Sequence, residues 1–163
     1  MTMTAATALE ILDRLRARDL DVWLAGGWGI DALLGRQTRD HRDLDLLHRA
    51  DQEPAVLQAL DDFRETEDAR PVRFVLTRAD GAELDLHPLH FGPDGSATQA
   101  ADDHGGTFAY PAACFVTGEI AGTTVPCISV AQQLYFHRGY EPRPHDVADL
   151  RELRAQFHVS TEF

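Results

Sequence analysis

The segment DLDLL at residues 43–47 constrains the fold more than any other part of the chain. Acidic and apolar residues alternate there, which is typical of a half-buried β-strand. Asp43 and Asp45 therefore point to one face, and Leu44 and Leu46 enter the core on the other. The two carboxylates lie about 6–7 Å apart along a strand and repel each other unless a cation lies between them. An exposed acidic edge is the alternative interpretation, because a chain with 27 acidic residues forms such triplets by chance.

A glycine pair upstream favours a functional site. Residues 22–24 predict a strand, and residues 28–34 predict a helix that ends at Gly35. Gly26-Gly27 lies between them, where backbone N–H groups can face a phosphate chain. A tight turn with no ligand is the alternative for this pair.

Positive charge is concentrated between the glycine pair and the acidic strand, in a chain of net charge −12. Arg36, Arg39 and Arg42, together with His41, lie where a triphosphate would need neutralising. Solvated loop arginines are the alternative. Trp28 either stacks on a ligand ring or packs its helix against the sheet.

Residues 72–77 and 82–89 predict the two strands of a β-hairpin. The second strand presents Glu83, Asp85 and His87 on one face. If it pairs beside the acidic strand, a third carboxylate meets the first two. Three carboxylates, a phosphate-binding turn and flanking arginines are the components of a two-metal site for phosphoryl or nucleotidyl transfer. His87 is either a substrate contact or a structural histidine.

The other predicted elements complete an α+β (mixed α/β) domain followed by a small helical part, residues 129–163. In chain order they are a helix at 5–18, a helix at 53–63, a long loop at 91–106, weak strands within 108–120 and 123–128, a helix from Ser129 to Gly139, and a helix at 145–157.

Composition excludes several classes of protein. No apolar run approaches the roughly 20 residues of a membrane span, and the N-terminus does not have the pattern of a secretory signal. Cys114 and Cys127 do not suggest a disulfide framework, so we expect a cytoplasmic location. The negative charge disfavours nucleic-acid binding and favours metal cations or amine-bearing substrates as partners.

The segment GGWGIDALLGRQTRDHRDLDL (26–46) resembles the antibiotic nucleotidyltransferases of the DNA polymerase β-like superfamily. It is similar to the aminoglycoside 2″-nucleotidyltransferases and, more closely, to the small lincosamide nucleotidyltransferases. The similarity continues in LDLHPLHFGPDGSATQA (84–100), VPCISVAQQLYFHRGY (125–140) and HDVADL (145–150).

The resemblance implies a polymerase β-like core of residues 1–128 with a mixed, roughly five-stranded sheet, and a C-terminal helical subdomain that closes the cleft. It implies ATP or another nucleoside triphosphate with Mg²⁺, two ions being expected. A drug hydroxyl would attack the α-phosphorus and release pyrophosphate. Asp43 and Asp45 match the metal-binding pair, and Asp85 matches a third carboxylate that acts as general base, metal ligand or both.

Other site residues follow from the resemblance and from their positions. The expected nucleotide-binding residues are Gly26, Gly27, Arg39, Arg42, His145, Asp146 and Asp149. The expected substrate contacts are Trp28, His87 and Tyr140.

Four functions stay open at this point. A lincosamide nucleotidyltransferase has the closest motif similarity, and the net charge favours an aminoglycoside, which is a polycation. A toxin–antitoxin nucleotidyltransferase and a sensor that binds nucleotide without catalysis are further alternatives. A homodimer that completes the cleft is also open.

Overall fold

The alternating acidic segment forms the central strand of the sheet. In the computed structural model, which describes residues 2–163, this strand is β2 (Leu44–Arg49). It runs antiparallel to β1 (Val22–Ala25) and parallel to β5 (Glu83–Phe91). Leu44 and Leu46 are buried in the core that helices cover, as the alternation predicted.

The main sheet is mixed and has seven strands in the order β3-β4-β5-β2-β1-β9-β8. Its other four strands are β3 (Phe63–Ala69), β4 (Arg73–Arg78), β8 (Phe115–Ile120) and β9 (Thr123–Ile128). Two further strands, β6 (Ala97–Ala100) and β7 (Thr107–Tyr110), extend the end of β5 as an antiparallel hairpin. The mixed α+β class is confirmed, but the expected number of about five strands is too small.

Two strands were not predicted because their sequences lack apolar alternation. The edge strand β3 pairs with β4 alone, and Phe63 is its one buried residue. Strand β6 lies within the predicted loop and buries the polar residue Gln99. Both segments are strands because a neighbouring strand supplies hydrogen bonds, which no local pattern reveals.

The helices are α1 (Ala5–Arg16), α2 (Gly26–Leu34), α3 (Glu53–Ala59), α4 (Val130–Phe136) and α5 (Pro144–Phe157). Gly26 and Gly27 form the first turn of α2 itself, whereas the sequence suggested a separate turn before residue 28. Gly35 adopts the left-handed conformation that ends α2, as predicted. Helix α3 ends at Ala59, short of the predicted residue 63. Helix α4 begins after its predicted cap, Ser129, but ends at Phe136, three residues before Gly139.

Helix α5 packs on α2, the helix that carries the glycine pair. Ile30 and Leu34 of α2 form one buried cluster with Leu150 and Leu153 of α5. The C-terminal helix therefore adjoins the proposed phosphate end of the site. The division at residue 128 into a core and a subdomain stays a prediction. Within residues 2–163, no helix has the length and apolar character needed to cross a membrane.

We predict that Gly118→Ala destabilises the fold by about 1–3 kcal/mol, because its methyl group would overlap the Ala32 carbonyl of α2. The change would push α2 away from β8. The midpoint of urea denaturation measures this effect. Thr117→Ala, at an exposed position of the same strand, is the control and should change stability by less than about 0.5 kcal/mol. Equal midpoints for the two variants would contradict the close packing.

Candidate active site

The parallel pairing of β2 with β5 places two acidic side chains side by side. Asp45 and Asp85 are partners in this register, and both are partly exposed at the edge of a cleft. Asp43 lies one residue before β2, so it approaches the pair from the chain that enters the strand. The three carboxylates predicted from the sequence therefore line one cleft.

Burial and electrostatic repulsion together favour a cation at this cluster. Burial raises the pKa of Asp43 to about 6, and the charges of Asp45, Asp85 and Glu83 add to the effect. Burial and Asp45 also raise the pKa of Asp85, against the opposing effects of His87 and Arg73. A divalent cation would relieve this repulsion, and hard carboxylate oxygens are the ligands that Mg²⁺ prefers. The donor set fits the metal that the sequence implied.

Two basic side chains lie beside the acidic cluster and partly neutralise its negative charge. Arg73 Nη1 lies 3.3 Å from both carboxylate oxygens of Asp85. His87 Nε2 lies 3.4 Å from Asp45 Oδ1 and 3.7 Å from Asp85 Oδ1. Within residues 2–163, one group of three potential metal ligands has all its ligand atoms within 4.8 Å of one another, and it consists of Asp45, Asp85 and His87. Asp43 is not part of this group. Arg73 was not predicted as a site residue, although its parity on the hairpin places it on the same face as Asp85.

The glycine pair has no room for side chains. A Cβ atom at Gly26 would overlap the Asp45 carboxylate, and one at Gly27 would overlap His41 and crowd the Arg39 guanidinium. Gly26 also has a φ of +58°, which other residues rarely adopt. Both glycines line the polar cleft, next to the carboxylates.

The two arginines predicted to bind nucleotide differ in how tightly ion pairs hold their side chains. Arg39 donates from Nε and Nη2 to the two oxygens of Asp149, each at 2.8 Å. The Arg42 side chain is 83% exposed and its ion pair with Glu83 is long, at 3.8 Å. Arg36 pairs with Glu152 and does not line the cleft.

Asp146 and Asp149 are buried, and their carboxylates hold other parts of the protein. Asp146 accepts a hydrogen bond from the Arg143 backbone N–H at 2.9 Å, which caps helix α5. Asp149 holds Arg39 as described above. His145 lines the cleft and its side chain is 42% exposed. All three residues line the polar cleft, where Asp146 and Asp149 hold basic groups and His145 has the more exposed side chain.

Trp28, predicted as a substrate contact, lies in the core and lines neither the polar cleft nor the cavity beside it. Trp28 is 2% exposed, and its Nε1–H donates to the Met3 carbonyl at 3.2 Å. Its ring packs on His41, which in turn contacts the buried Asp31 carboxylate at 2.5 Å. Helix α2 is held to the rest of the core by these contacts. Asp31 was not singled out in the sequence, because its partner is ten residues away and outside the helix.

A second, more apolar cavity adjoins the polar cleft. The polar cleft has a volume of about 620 Å³ and the second cavity about 250 Å³. Both are lined by Gly26, Asp45, His137 and Arg143. The walls of the second cavity also include Leu47, His87, Gln99, Phe108, Tyr110, Phe136 and Tyr140. His87 and Tyr140, both predicted as substrate contacts, lie there.

A family model described as aminoglycoside-2''-adenylyltransferase matches residues 7–153, which is most of the chain. The chain belongs to this family. Its members include nucleotidyltransferases that modify antibiotics, and the chain is accordingly an enzyme of that class, with a nucleoside triphosphate as co-substrate and a divalent metal ion as cofactor.

Three relatives illustrate the family. A lincosamide resistance protein from Staphylococcus haemolyticus is 35% identical over 155 residues, which cover 94% of this chain and 96% of that protein. The crystal structure of the lincosamide antibiotic adenylyltransferase LnuA with lincomycin bound has a TM-score of 0.86 and 33% identity, over 95% of this chain and 99% of that one. ANT(2")-Ia in complex with adenylyl-2"-tobramycin shares the fold, with a TM-score of 0.72 and 23% identity over 94% and 88% of the chains.

We predict that Asp43→Asn stabilises the metal-free protein at alkaline pH. The pKa of Asp43 is about 6 in the folded state against an ordinary value of 3.8, so the folded protein binds this proton more tightly than the unfolded chain. Ionisation between about pH 4 and pH 6 therefore lowers the free energy of unfolding of the parent. The variant should be more stable by about 1–3 kcal/mol above pH 6, with no difference below about pH 4.

Urea denaturation in the presence of a chelator, repeated across this pH range, measures the difference. Asp61→Asn removes an exposed carboxylate and is the control, for which we expect no such pH dependence. A constant difference between Asp43→Asn and the parent at all pH values would contradict the raised pKa of Asp43.

Proposed function

We propose that the enzyme transfers AMP from ATP to a hydroxyl group of a lincosamide and releases pyrophosphate. The observation that carries this proposal is the aromatic cavity that opens beside Asp45 and His87, next to the acidic cluster. A drug in this cavity would present a hydroxyl to a phosphate chain in the polar cleft. The two cavities meet at the carboxylates, where the transfer would take place.

The acidic residues have distinct tasks in this proposal. Asp43 and Asp45, with Asp85, hold Mg²⁺, and we expect two ions. Bound Mg²⁺ supplies positive charge against the phosphate oxygens. Asp85 also accepts the proton of the drug hydroxyl. At the same time the hydroxyl oxygen bonds to the α-phosphorus, and the bond from that phosphorus to pyrophosphate breaks. The raised pKa of Asp85 suits a general base that must hold this proton.

The phosphate chain is assigned to the other end of the polar cleft. The N-terminus of α2 at Gly26 and Gly27 offers backbone N–H groups. Arg39 reaches the same point, oriented by Asp149, and the exposed Arg42 is free to turn toward a phosphate. His145 supplies a further polar group from α5. Asp146 supports this end indirectly by capping α5.

The acceptor site favours a lincosamide over an aminoglycoside. Phe108, Phe136 and Tyr110 give the second cavity an apolar wall, which suits a small drug with alkyl groups better than a polycation. The similarity to the lincomycin-bound adenylyltransferase extends over nearly the full length of both chains. An aminoglycoside is the second candidate, because Glu67 and Glu83 line the polar cleft and the net charge is −12.

Location, assembly and the remaining alternative functions are also matters of proposal. We expect a cytoplasmic location, where ATP is available and thiols such as the two free cysteines stay reduced. A homodimer is a further proposal. A nucleotidyltransferase that modifies tRNA is disfavoured by the acidic surface. A sensor without catalysis is disfavoured by the three carboxylates in one cleft, and turnover would exclude it.

A panel of drugs tests the substrate. The protein is incubated with Mg²⁺, ATP and either lincomycin or kanamycin, and the products are analysed by mass spectrometry. We predict the added mass of one AMP on lincomycin and none on kanamycin. Addition to kanamycin alone would identify an aminoglycoside, and not a lincosamide, as the substrate. Addition to neither drug would contradict both proposals.

We predict that Asp45→Asn and Asp85→Asn each lower kcat about 1,000-fold or more, equivalent to about 4 kcal/mol of transition-state stabilisation. Each change removes a negative charge from the proposed metal site and keeps the size of the side chain. Asp13→Asn, at an exposed position of α1, is the matched control and should keep full activity. Circular dichroism checks that all three variants are folded, and a folded, fully active Asp85→Asn variant would refute the site.

A further inference from the structure

A buried chain of hydrogen bonds reaches the acidic cluster from the β6–β7 hairpin. The Tyr110 hydroxyl donates to Gln99 Oε1 at 2.6 Å, and Gln99 Nε2 lies 3.3 Å from His87 Nδ1. The other ring nitrogen, His87 Nε2, faces Asp45 and Asp85. Gln99 is 6% exposed and Tyr110 is 2% exposed, so both side chains are buried where they border the second cavity.

The Tyr110 hydroxyl determines which way the Gln99 amide points. A buried hydroxyl requires an acceptor, and in residues 2–163 Gln99 Oε1 is the acceptor that this hydroxyl has. The opposite amide orientation would leave the hydroxyl without one. The amide nitrogen must then face His87, and because it can only donate, His87 Nδ1 must carry a lone pair.

We propose that Gln99 and Tyr110 hold the neutral His87 ring in the Nε2–H tautomer, so that His87 donates to the carboxylates and does not ligate the metal. Gln99 and Tyr110 are thus positioning residues that act through His87. The inference rests on the proposed metal site, since it concerns how that site selects its ion.

The tautomer has a consequence for metal selectivity. With a lone pair on Nε2, Asp45, Asp85 and His87 would form a set of two carboxylates and one imidazole, which suits Mn²⁺ and other transition metals. With Nε2–H, the protein offers oxygen ligands alone, which suit Mg²⁺. The hydrogen-bond chain therefore excludes a nitrogen ligand from an otherwise suitable position.

Nuclear magnetic resonance of the metal-free protein, labelled with ¹⁵N-histidine, tests the tautomer directly. Spectra are recorded near pH 9 to obtain the neutral ring. Burial lowers the pKa of His87, but its hydrogen bond to Asp45 and the charges of Asp45 and Asp85 raise it overall above the ordinary value of about 6.5. The signals of His87 are identified by their loss in His87→Asn. We expect the proton on Nε2 in the parent, and a proton found mainly on Nδ1 would overturn the proposal.

Gln99→Glu should reverse the tautomer. Its carboxylate accepts hydrogen bonds from Tyr110 and from His87 Nδ1–H, which leaves a lone pair on Nε2. We expect the affinity for Mn²⁺ relative to Mg²⁺, measured by titration calorimetry, to rise about tenfold or more. The added negative charge strengthens the binding of both ions. The ratio of the Mn²⁺ affinity to the Mg²⁺ affinity therefore separates the effect of the tautomer from the effect of the charge. An unchanged proton position or an unchanged ratio would overturn the proposal.

Two further variants keep the test decisive if Gln99→Glu does not fold. Tyr110→Phe removes the hydroxyl that orients the amide, so we expect both tautomers in the His87 spectrum. Gln132→Leu is the control: Gln132 is also buried, and its amide donates to Ala109 of β7 at 2.9 Å, but it does not contact His87. It should leave the tautomer and the metal ratio unchanged. A single tautomer in Tyr110→Phe would contradict the role of the hydroxyl.

Failure of the proposed function would look different. If the parent binds neither Mg²⁺ nor Mn²⁺, the proposed metal site is wrong, and the proposed selectivity for Mg²⁺ over Mn²⁺ is then wrong too. The tautomer measurement still decides the role of Gln99 and Tyr110, because it requires no metal and no turnover.

Discussion

The parallel register between β2 and β5 is the constraint on which the site depends. Leu44 pairs with Leu84 and Leu46 with Leu86, and all four side chains are completely buried. The same register brings Asp45 opposite Asp85 on the other face of the sheet. A slip of one residue would move the leucines into the cleft and the carboxylates into the core. Burial of four leucines, each contributing about 1.5–3 kcal/mol, thus holds together two carboxylates that repel each other.

Around this pair, the protein provides basic groups that are themselves held by buried acids. Asp149 fixes Arg39, and Asp146 fixes the start of α5 near Arg143. Because α5 also packs on α2, the C-terminal helix lies beside the helix that carries the glycine pair, at the end of the cleft where we propose that phosphate binds. These two buried acids therefore position basic groups that line the cleft.

The acceptor side depends largely on the β6–β7 hairpin, whose sequence carries weak local signals. The β6–β7 hairpin and α4 contribute Tyr110, Phe108 and Phe136 to the apolar cavity, and Gln99 to the contact with His87. The two sides of the site thus come from different layers of the fold. In the proposed function, the side with the glycine pair holds phosphate and the side with this hairpin selects the acceptor.

The sequence by itself determined the elements and residues that carry a local pattern. The alternation around Asp45, the cap at Ser129 and the stop at Gly35 depend on neighbours along the chain, and the structure agrees with all three. The tertiary structure decided the rest: β3 and β6 became strands, Trp28 was buried, and Gln99 reached His87. These outcomes depend on partners distant in sequence. A polar segment becomes a strand, and an aromatic ring becomes core, only when another element supplies the hydrogen bonds or the apolar surface that each requires.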